Sequence, residues 1–181
     1  VVVATTVWML WRSTVDKKEV NASRALAEVQ RVVESGNAAL AQSDLQALLR
    51  RYEGTAAAIQ ARMLLAQVHF GQNKVEEGLK ELQAVRSPGP FAASYHALVA
   101  AGLEQSGKPA EAALEYRKAA DASLSKPGRA ANLADAARAY EAAGNVDEAR
   151  SIWSAMAADE TSPMSGEARV RLGQLTAKPI S

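Results

Sequence analysis

The chain has 181 residues with 21 basic and 20 acidic side chains, a formal net charge of +1 and no cysteine. The lack of cysteine excludes disulfides, zinc–thiolate sites and thiol nucleophiles, and the balanced charge lacks the cationic excess that nucleic-acid backbones require. Hydrophobic residues make up 48% of the chain but aromatic residues only 5%, so aliphatic side chains, with alanine prominent, supply most of the apolar content. This composition favours closely packed helices over strands.

The first eleven residues, VVVATTVWMLW, carry no charge and include Trp8 and Trp11, which are followed by Arg12. Tryptophan and arginine are enriched where a membrane span meets water. Eleven helical residues cover roughly 16 Å, about half of a hydrocarbon core that is roughly 30 Å thick. We therefore expect residues 1–12 to be the C-terminal half of a transmembrane anchor. Because the chain opens with Val1 rather than methionine, we expect the other half to lie upstream.

Two other interpretations of this segment are weaker. A signal peptide needs a small-residue cleavage site where the chain reads WRSTVDKKE, and the two tryptophans disfavour a buried core helix. Apolar residues continue at helical spacing from residue 15 to residue 33, with no proline or glycine before Gly36. The anchor helix is thus predicted to continue without a break into the residues that follow it. Residues 13–54 are predicted to form this continuing helix and a first helical pair.

Three segments further along the chain share one spacing pattern. Counted from Asn73, Gly107 and Gly144, an acidic residue lies four positions on, a small residue five on and a large apolar residue nine on. An asparagine or glycine in the left-handed turn conformation can close a helical hairpin at each of these points. The small residues, Gly78, Ala112 and Ala149, are then predicted to lie where two helices cross, with Leu82, Tyr116 and Trp153 as the large residues.

Asn73 and Gly107 are 34 residues apart, and Gly107 and Gly144 are 37 residues apart. Both separations are close to the period of tetratricopeptide (TPR) arrays. Residues 55–158 resemble three TPR hairpins, which implies an all-α solenoid. The first copy departs from the family pattern at two positions. Gly78 stands where a small residue larger than glycine is usual, and Leu82 stands where an aromatic residue is usual. The array is therefore called TPR-like. Turns are predicted near residues 71–74, 105–109 and 143–146.

Residues 159–181 are predicted to hold a tail and a C-terminal helix, residues 163–175, which caps the repeat stack. A single-pass anchor, TPR-like hairpins and this cap together resemble the periplasmic-facing ancillary subunit of the bacterial Sec translocon. The resemblance implies a bacterial inner-membrane protein with a periplasmic repeat domain, whereas Arg12, Lys17 and Lys18 favour the cytoplasmic side. It is carried by the stretches WMLWRSTVDKKEVNASRAL, GTAAAIQARMLLAQVHFGQNKVEEGLKELQAV and AGNVDEARSIWSAMAADETSPMSGEARVRLGQL.

Catalytic chemistry has no visible basis in the sequence. His69 and His96 have no histidine or acidic residue four positions away, so packing explains them better than metal binding does. The chain contains no G-x-S-x-G, Walker A or G-x-G-x-x-G motif. Acidic pairs such as Glu76 and Glu77 begin second helices, where they complement the helix dipole. We expect neither enzyme activity nor a metal or cofactor.

Surface recognition remains as the predicted role of the repeats. In a stacked TPR array the first helix of each hairpin lines a concave face. The side chains expected there are mixed in polarity, which suits a protein segment bound with modest affinity. For any single residue, a merely solvated helix face is an equally good explanation. The predicted groove consists of Gln60, Met63, Gln67, Phe70, Ser94, Ala97, Ala101, Glu104, Ala134, Arg138 and Glu141.

The leading hypothesis is a non-catalytic, membrane-anchored scaffold or adaptor of an integral membrane complex. By the resemblance, that complex would be the Sec translocon, together with periplasmic chaperones or emerging chains. The alternative is a structural accessory subunit of another membrane assembly, such as a respiratory or photosynthetic complex, and fold alone does not decide between them. Protein and membrane partners are expected, and nucleic acid is not.

Overall fold

A computed structural model describes the backbone of residues 2–176 and the side chains of residues 16–176. This part of the chain contains nine α-helices and no strand, which confirms the all-α prediction for the residues described. One short 3₁₀ turn, Gly89–Phe91, precedes the fifth helix. The helices are α1 Val2–Glu34, α2 Ala38–Arg51, α3 Ala56–Gly71, α4 Val75–Gln83, α5 Ala92–Gln105, α6 Pro109–Ala122, α7 Lys126–Ala142, α8 Val146–Ala158 and α9 Ser165–Thr176.

The chain forms two compact units, Val1–Arg86 and Ser87–Ser181. In the first unit, α2 packs on α1 and α3, α1 also contacts α3, and α4 pairs with α3. In the second unit, each helix from α5 to α8 packs on the next one along the chain. Each unit has its own buried core, which includes Leu45 and Leu65 in the first and Tyr140 and Trp153 in the second.

Three hairpin turns repeat one backbone geometry. Asn73, Gly107 and Gly144 have φ angles of 61°, 75° and 78°, in the left-handed region that side chains with a Cβ rarely adopt. The predicted turn residues and their conformation are therefore confirmed. After each of them a backbone N–H donates to the carbonyl five positions earlier, the Schellman closure of a helix end. These bonds are Lys74 to His69, Lys108 to Leu103 and Asn145 to Tyr140, each 2.9 Å long.

A fourth turn with a glycine in the left-handed conformation lies upstream of the predicted repeats. Gly36, between α1 and α2, has a φ of 78° and stands 37 residues before Asn73. Ala41, five positions after Gly36, and Leu45, nine positions after it, are both fully buried. The α1–α2 pair is therefore a fourth hairpin in the same register. The sequence predicted this helical pair within residues 13–54, but not that it shares the repeat register, because Leu40 stands at the acidic position.

Two charged residues of α1 hold this helix against the rest of the first unit. The Glu19 carboxylate accepts hydrogen bonds from the backbone N–H groups of Ala56 and Ala57, at 3.1 and 3.2 Å, and so caps the first turn of α3. The Lys18 ammonium donates to the Glu53 carbonyl at 2.7 Å. These partners are 35 to 38 residues apart in the chain, so no local sequence pattern could reveal them.

The N-terminal segment was predicted to be part of a membrane span. Within residues 2–176, no helix combines the length and the apolar character needed to cross a bilayer. The backbone of residues 2–15 is the first part of α1, but the side chains of Trp8, Trp11 and Arg12 lie outside the described residues. The half span at residues 1–12 is thus not supported by the structure and stays a prediction.

The C-terminal helix α9 packs on α8. Ala168 is fully buried there, and Met164, Leu172 and Leu175 pack against the core of the second unit. Ala168, Leu172 and Leu175 form the apolar side of α9, Met164 lies just before the helix, and Val170 on another side is 61% exposed. The helix therefore covers apolar surface of the α7–α8 hairpin with one face only.

The α3–α4 hairpin closes differently from the others. A Cβ atom added to Gly78 would overlap the Phe70 ring and come within 3.0 Å of the Ala66 carbonyl oxygen. The ring therefore takes the space that an alanine methyl group occupies at the other helix crossings. The large position on α4 is filled by the fully buried Leu82 rather than by an aromatic residue. The two departures from the family pattern are linked, since the aromatic ring is on α3 instead of α4.

Gly78→Ala is expected to lower the free energy of unfolding by about 1 to 3 kcal/mol, because the added methyl group must displace the Phe70 ring. Urea denaturation measures the change. The matched control is Gly173→Ala in α9, where an added Cβ meets no atom within 4 Å and better helix propensity makes the change neutral or stabilising. Phe70→Leu should recover much of the loss in the double variant. If Gly78→Ala lowers the free energy of unfolding equally in the parent and in the Phe70→Leu protein, the Phe70 ring is not the cause of the loss.

Candidate protein-interaction surfaces

The predicted groove residues lie on the first helices of three hairpins. Those on α3 belong to the first unit, and those on α5 and α7 belong to the second. Each unit therefore presents its own part of the predicted face, and each part has its own neighbours.

The α3 part of the predicted groove is partly accessible. Gln67 is exposed, and Gln60 and Met63 are half-buried. Phe70 is also half-buried, but its ring lies against Gly78 and belongs to the closure of the hairpin. The accessible surface of this part is thus formed by Gln60, Met63 and Gln67.

The α5 part is more exposed than the α7 part. Ser94, Ala101 and Glu104 are exposed, whereas Ala97 is half-buried and packs against the core of the second unit. On α7, Ala134 has no exposed surface, so its assignment to the groove is wrong. The reason is helical periodicity. Ala134, together with the buried Ala130 and Ala137, forms the stripe of α7 that faces the core.

A hydrogen bond between an aromatic side chain and a carboxylate closes both hairpins of the second unit. Tyr116 Oη donates to Glu104 at 2.9 Å, and Trp153 Nε1 donates to Glu141. Each glutamate lies three positions before the turn glycine, and each aromatic residue lies nine positions after it. Burial and the hydrogen bond to Glu104 raise the pKa of Tyr116. Glu104 and Glu141 thus serve the hairpin itself.

The α7 part of the predicted groove is engaged by α9. The Arg138 guanidinium donates to Asp135 at 2.6 Å and to Glu167 of α9, while Arg171 of α9 lies 3.7 Å from the Glu141 carboxylate. Arg138 and Arg171 side chains are each 36% exposed, so these pairs contribute little to stability. They do satisfy the charges of Arg138 and Glu141 within the chain.

Each histidine lies in a different environment. His69 is 6% exposed, and its Nδ1 atom has no hydrogen-bond partner among the described residues. His96 Nδ1 lies 2.7 Å from a Glu115 carboxylate oxygen, and Lys118 donates to the other oxygen of this carboxylate at 2.6 Å. The sequence analysis missed Glu115 because it considered neighbours on the same helix, and the hairpin brings Glu115 from 19 positions away. No group of three or more histidine or acidic side chains suited to a metal ion occurs among the described residues.

The Glu115 carboxylate is stabilised in its ionised form. Burial alone raises the pKa of this carboxyl, but the hydrogen bonds from Lys118 and His96 outweigh burial and hold the pKa below its ordinary value of 4.5. The native state therefore prefers the ionised carboxylate more than the unfolded chain does. This contribution to stability is present above about pH 4.5 and is lost as the pH falls through the lowered pKa.

Glu115→Gln is expected to lower the free energy of unfolding near neutral pH and to flatten its decline in acid, because the amide cannot lose a proton. Denaturant unfolding at a series of pH values from about 3 to about 7 measures both effects. The matched control is Glu111→Gln, an exposed position on the same helix. A stability curve for Glu115→Gln that runs parallel to that of the parent would contradict this assignment.

A surface groove of about 500 Å³ lies in the second unit between α6, α7 and α8. We call it the α6–α8 groove. Its apolar lining comes from α7 and α8 and includes Leu133, Ile152 and Met156. The sequence pattern does not indicate it, because the lining comes mostly from second helices and from a connector, whereas the predicted groove lies on first helices. Its basic residues are Arg117, Lys126 and Arg129, and its acidic residues are Glu148 and Asp159.

Comparison with known proteins agrees with the hairpin architecture. The tetratricopeptide repeat-like domain family matches residues 1–90 and again residues 26–131, and the second match covers more than half of the chain. No curated protein matches the chain in sequence. Among solved structures, the chain is similar to a thermophilic TPR protein of Thermus thermophilus, with 15% identity, a TM-score of 0.46 and coverage of 85% of this chain and 98% of that one. The chain belongs to the tetratricopeptide repeat-like domain family.

Proposed function

We propose that this protein is a non-catalytic scaffold or adaptor subunit of an integral membrane complex. The observation that carries the scaffold role is the repeat architecture, in which Gly36, Asn73, Gly107 and Gly144 close four hairpins in one register. Helical repeats build recognition surfaces from successive helix faces, and TPR-like domains typically mediate contacts between proteins rather than catalyse reactions. The family match supports the same role.

Attachment to a membrane through the N-terminal segment is part of the proposal. The uncharged run of residues 1–11, with Trp8 and Trp11 near its end, supports it. The continuity of α1 also supports it, because one helix runs from Val2 to Glu34 and is held to the α2–α3 connection by Lys18 and Glu19. A rigid link of this kind suits a subunit that keeps its repeats at one place beside an embedded complex.

The complex that we propose is the bacterial Sec translocon, with the repeats on the periplasmic side of the inner membrane. Periplasmic chaperones or emerging chains are the proposed partners of the repeat surface. The support is the resemblance in arrangement, from the N-terminal segment through the hairpins to the C-terminal helix. An accessory subunit of a respiratory or photosynthetic assembly is the second candidate. A TPR-like fold can serve either assembly as a contact surface, and fold alone does not decide between them. Arg12, Lys17 and Lys18 bear only on the side of the membrane, because basic residues are more usual on the cytoplasmic flank of a span.

Purification of the native protein from its own membranes in mild detergent is expected to bring Sec translocon subunits with it. The matched control replaces residues 1–12 by a cleavable signal peptide, which leaves the hairpins intact and should remove the translocon subunits from the eluate. Recovery of respiratory or photosynthetic subunits would support the second candidate instead. Recovery of the protein without any membrane subunit would contradict membrane-complex function.

The proposed side of the membrane has its own test. Protease added to intact spheroplasts should digest the repeat domain, because a periplasmic domain is accessible once the outer membrane is opened. A cytoplasmic marker protein in the same sample should stay intact and serves as the control. If the repeats are protected until the inner membrane is lysed, the domain is cytoplasmic, and the analogy with the translocon subunit is weakened.

A further inference from the structure

The α6–α8 groove has the dimensions of a helix-binding site. Both α6 and α8 pack on α7, and the connections 123–125 and 143–145 are short, so α6 and α8 run in the same direction on either side of α7. The lining residues of α8 extend from Glu148 to Met156, which is about 12 Å of helix at roughly 1.5 Å per residue. The groove is therefore long enough for about two turns of a docked helix.

The apolar lining of this groove is incompletely covered by the chain itself. Leu133 and Ile152 are half-buried, pack against the core and also line the groove. Ala155, which lies between larger residues on α8, is exposed and leaves room above the floor. Leu124, two positions before the groove residue Lys126, is fully exposed. Exposed apolar surface next to a groove is typical of a docking site.

One end of the groove carries positive charge that the described residues do not neutralise. Arg117 lies on the rim and makes no hydrogen bond or ion pair with any described residue, and the ion pair of Arg129 is exposed and 3.5 Å long. Lys126 lies close to Asp159. However, the Asp159 carboxylate already accepts hydrogen bonds from the N–H and hydroxyl groups of Thr161, at 2.9 and 2.7 Å.

We infer that the α6–α8 groove binds an amphipathic helical segment of a protein partner, with its apolar side chains on the groove floor and an acidic side chain beside Arg117. Glu148, in the first turn of α8, disfavours an acidic side chain beside it, whereas the basic Lys126 lies near Asp159 just after the other end of α8. The charges therefore also set the direction of the bound helix. This inference rests on the scaffold function proposed above. It adds a partner chemistry and a surface separate from the α5 and α7 parts of the predicted groove.

The test uses the full chain in lipid nanodiscs, with empty nanodiscs as the blank. The probe is a fluorescently labelled, amidated peptide of about 14 residues with leucines at positions i, i+3, i+4 and i+7 and two glutamates in its first turn, where they also favour the helix. Fluorescence anisotropy measures its affinity. We expect saturable binding to the parent protein that weakens as salt is added.

Arg117→Glu is expected to weaken binding of this peptide by about fivefold, because an attraction becomes a repulsion. A second peptide with lysines in place of the two glutamates should bind the Arg117→Glu protein better than it binds the parent. The matched control is Arg169→Glu, a charge reversal at an exposed position of α9 outside the groove, which should leave both affinities unchanged.

A second variant tests the groove without altering its charge. Ser151 is an exposed groove residue on α8, so Ser151→Trp should fill the groove, keep the parent melting temperature and weaken binding of the peptide by about tenfold. Absence of peptide binding to the parent, or equal binding by the parent, Arg117→Glu and Ser151→Trp proteins, would overturn the inference. Either result leaves the scaffold function intact, since co-purification with membrane subunits decides that function separately.

Discussion

Each hairpin depends on a close crossing of its two helices, five residues after a left-handed turn. The side chain there must be small, because the two backbones approach closely and dispersion contacts weaken steeply over less than an ångström. The turn residue sets where the second helix begins, so it also sets which residue reaches the crossing. One local geometry therefore determines the register of four hairpins. The crossing residues are Ala41, Gly78, Ala112 and Ala149.

In the second unit, a second contact between the residue three before the turn and the residue nine after it accompanies each crossing. In the second unit it is a hydrogen bond from Tyr116 to Glu104 and from Trp153 to Glu141. In the α3–α4 hairpin, Phe70 and Leu82 hold these positions, and the ring requires Gly78 at the crossing. Phe70, Glu104 and Glu141, each three positions before a turn residue, thus contribute to hairpin closure, which limits their freedom to recognise a partner.

The surfaces of the second unit differ in how far their charged and apolar groups are already engaged by contacts within the chain. On α7, the charges of Arg138 and Glu141 are paired with α9, so a partner would compete with existing contacts there. In the α6–α8 groove, apolar lining is exposed at Ala155, and Arg117 has no partner among the described residues. A partner gains more where it replaces water than where it replaces an ion pair. This difference favours the groove over the α7 face.

By itself, the sequence determined the helices and three of the four hairpin turns, because these depend on residues at most about a turn or two apart, as at Asn73, Gly107 and Gly144. It also predicted a first helical pair within residues 13–54, but not that the Gly36 turn shares the repeat register, because Leu40 interrupts the acidic pattern. Only the tertiary structure decided the pairing of His96 with Glu115, the capping of α3 by Glu19 and the α6–α8 groove. The physical reason is distance along the chain, since these contacts join residues that only the packing of separate helices brings together.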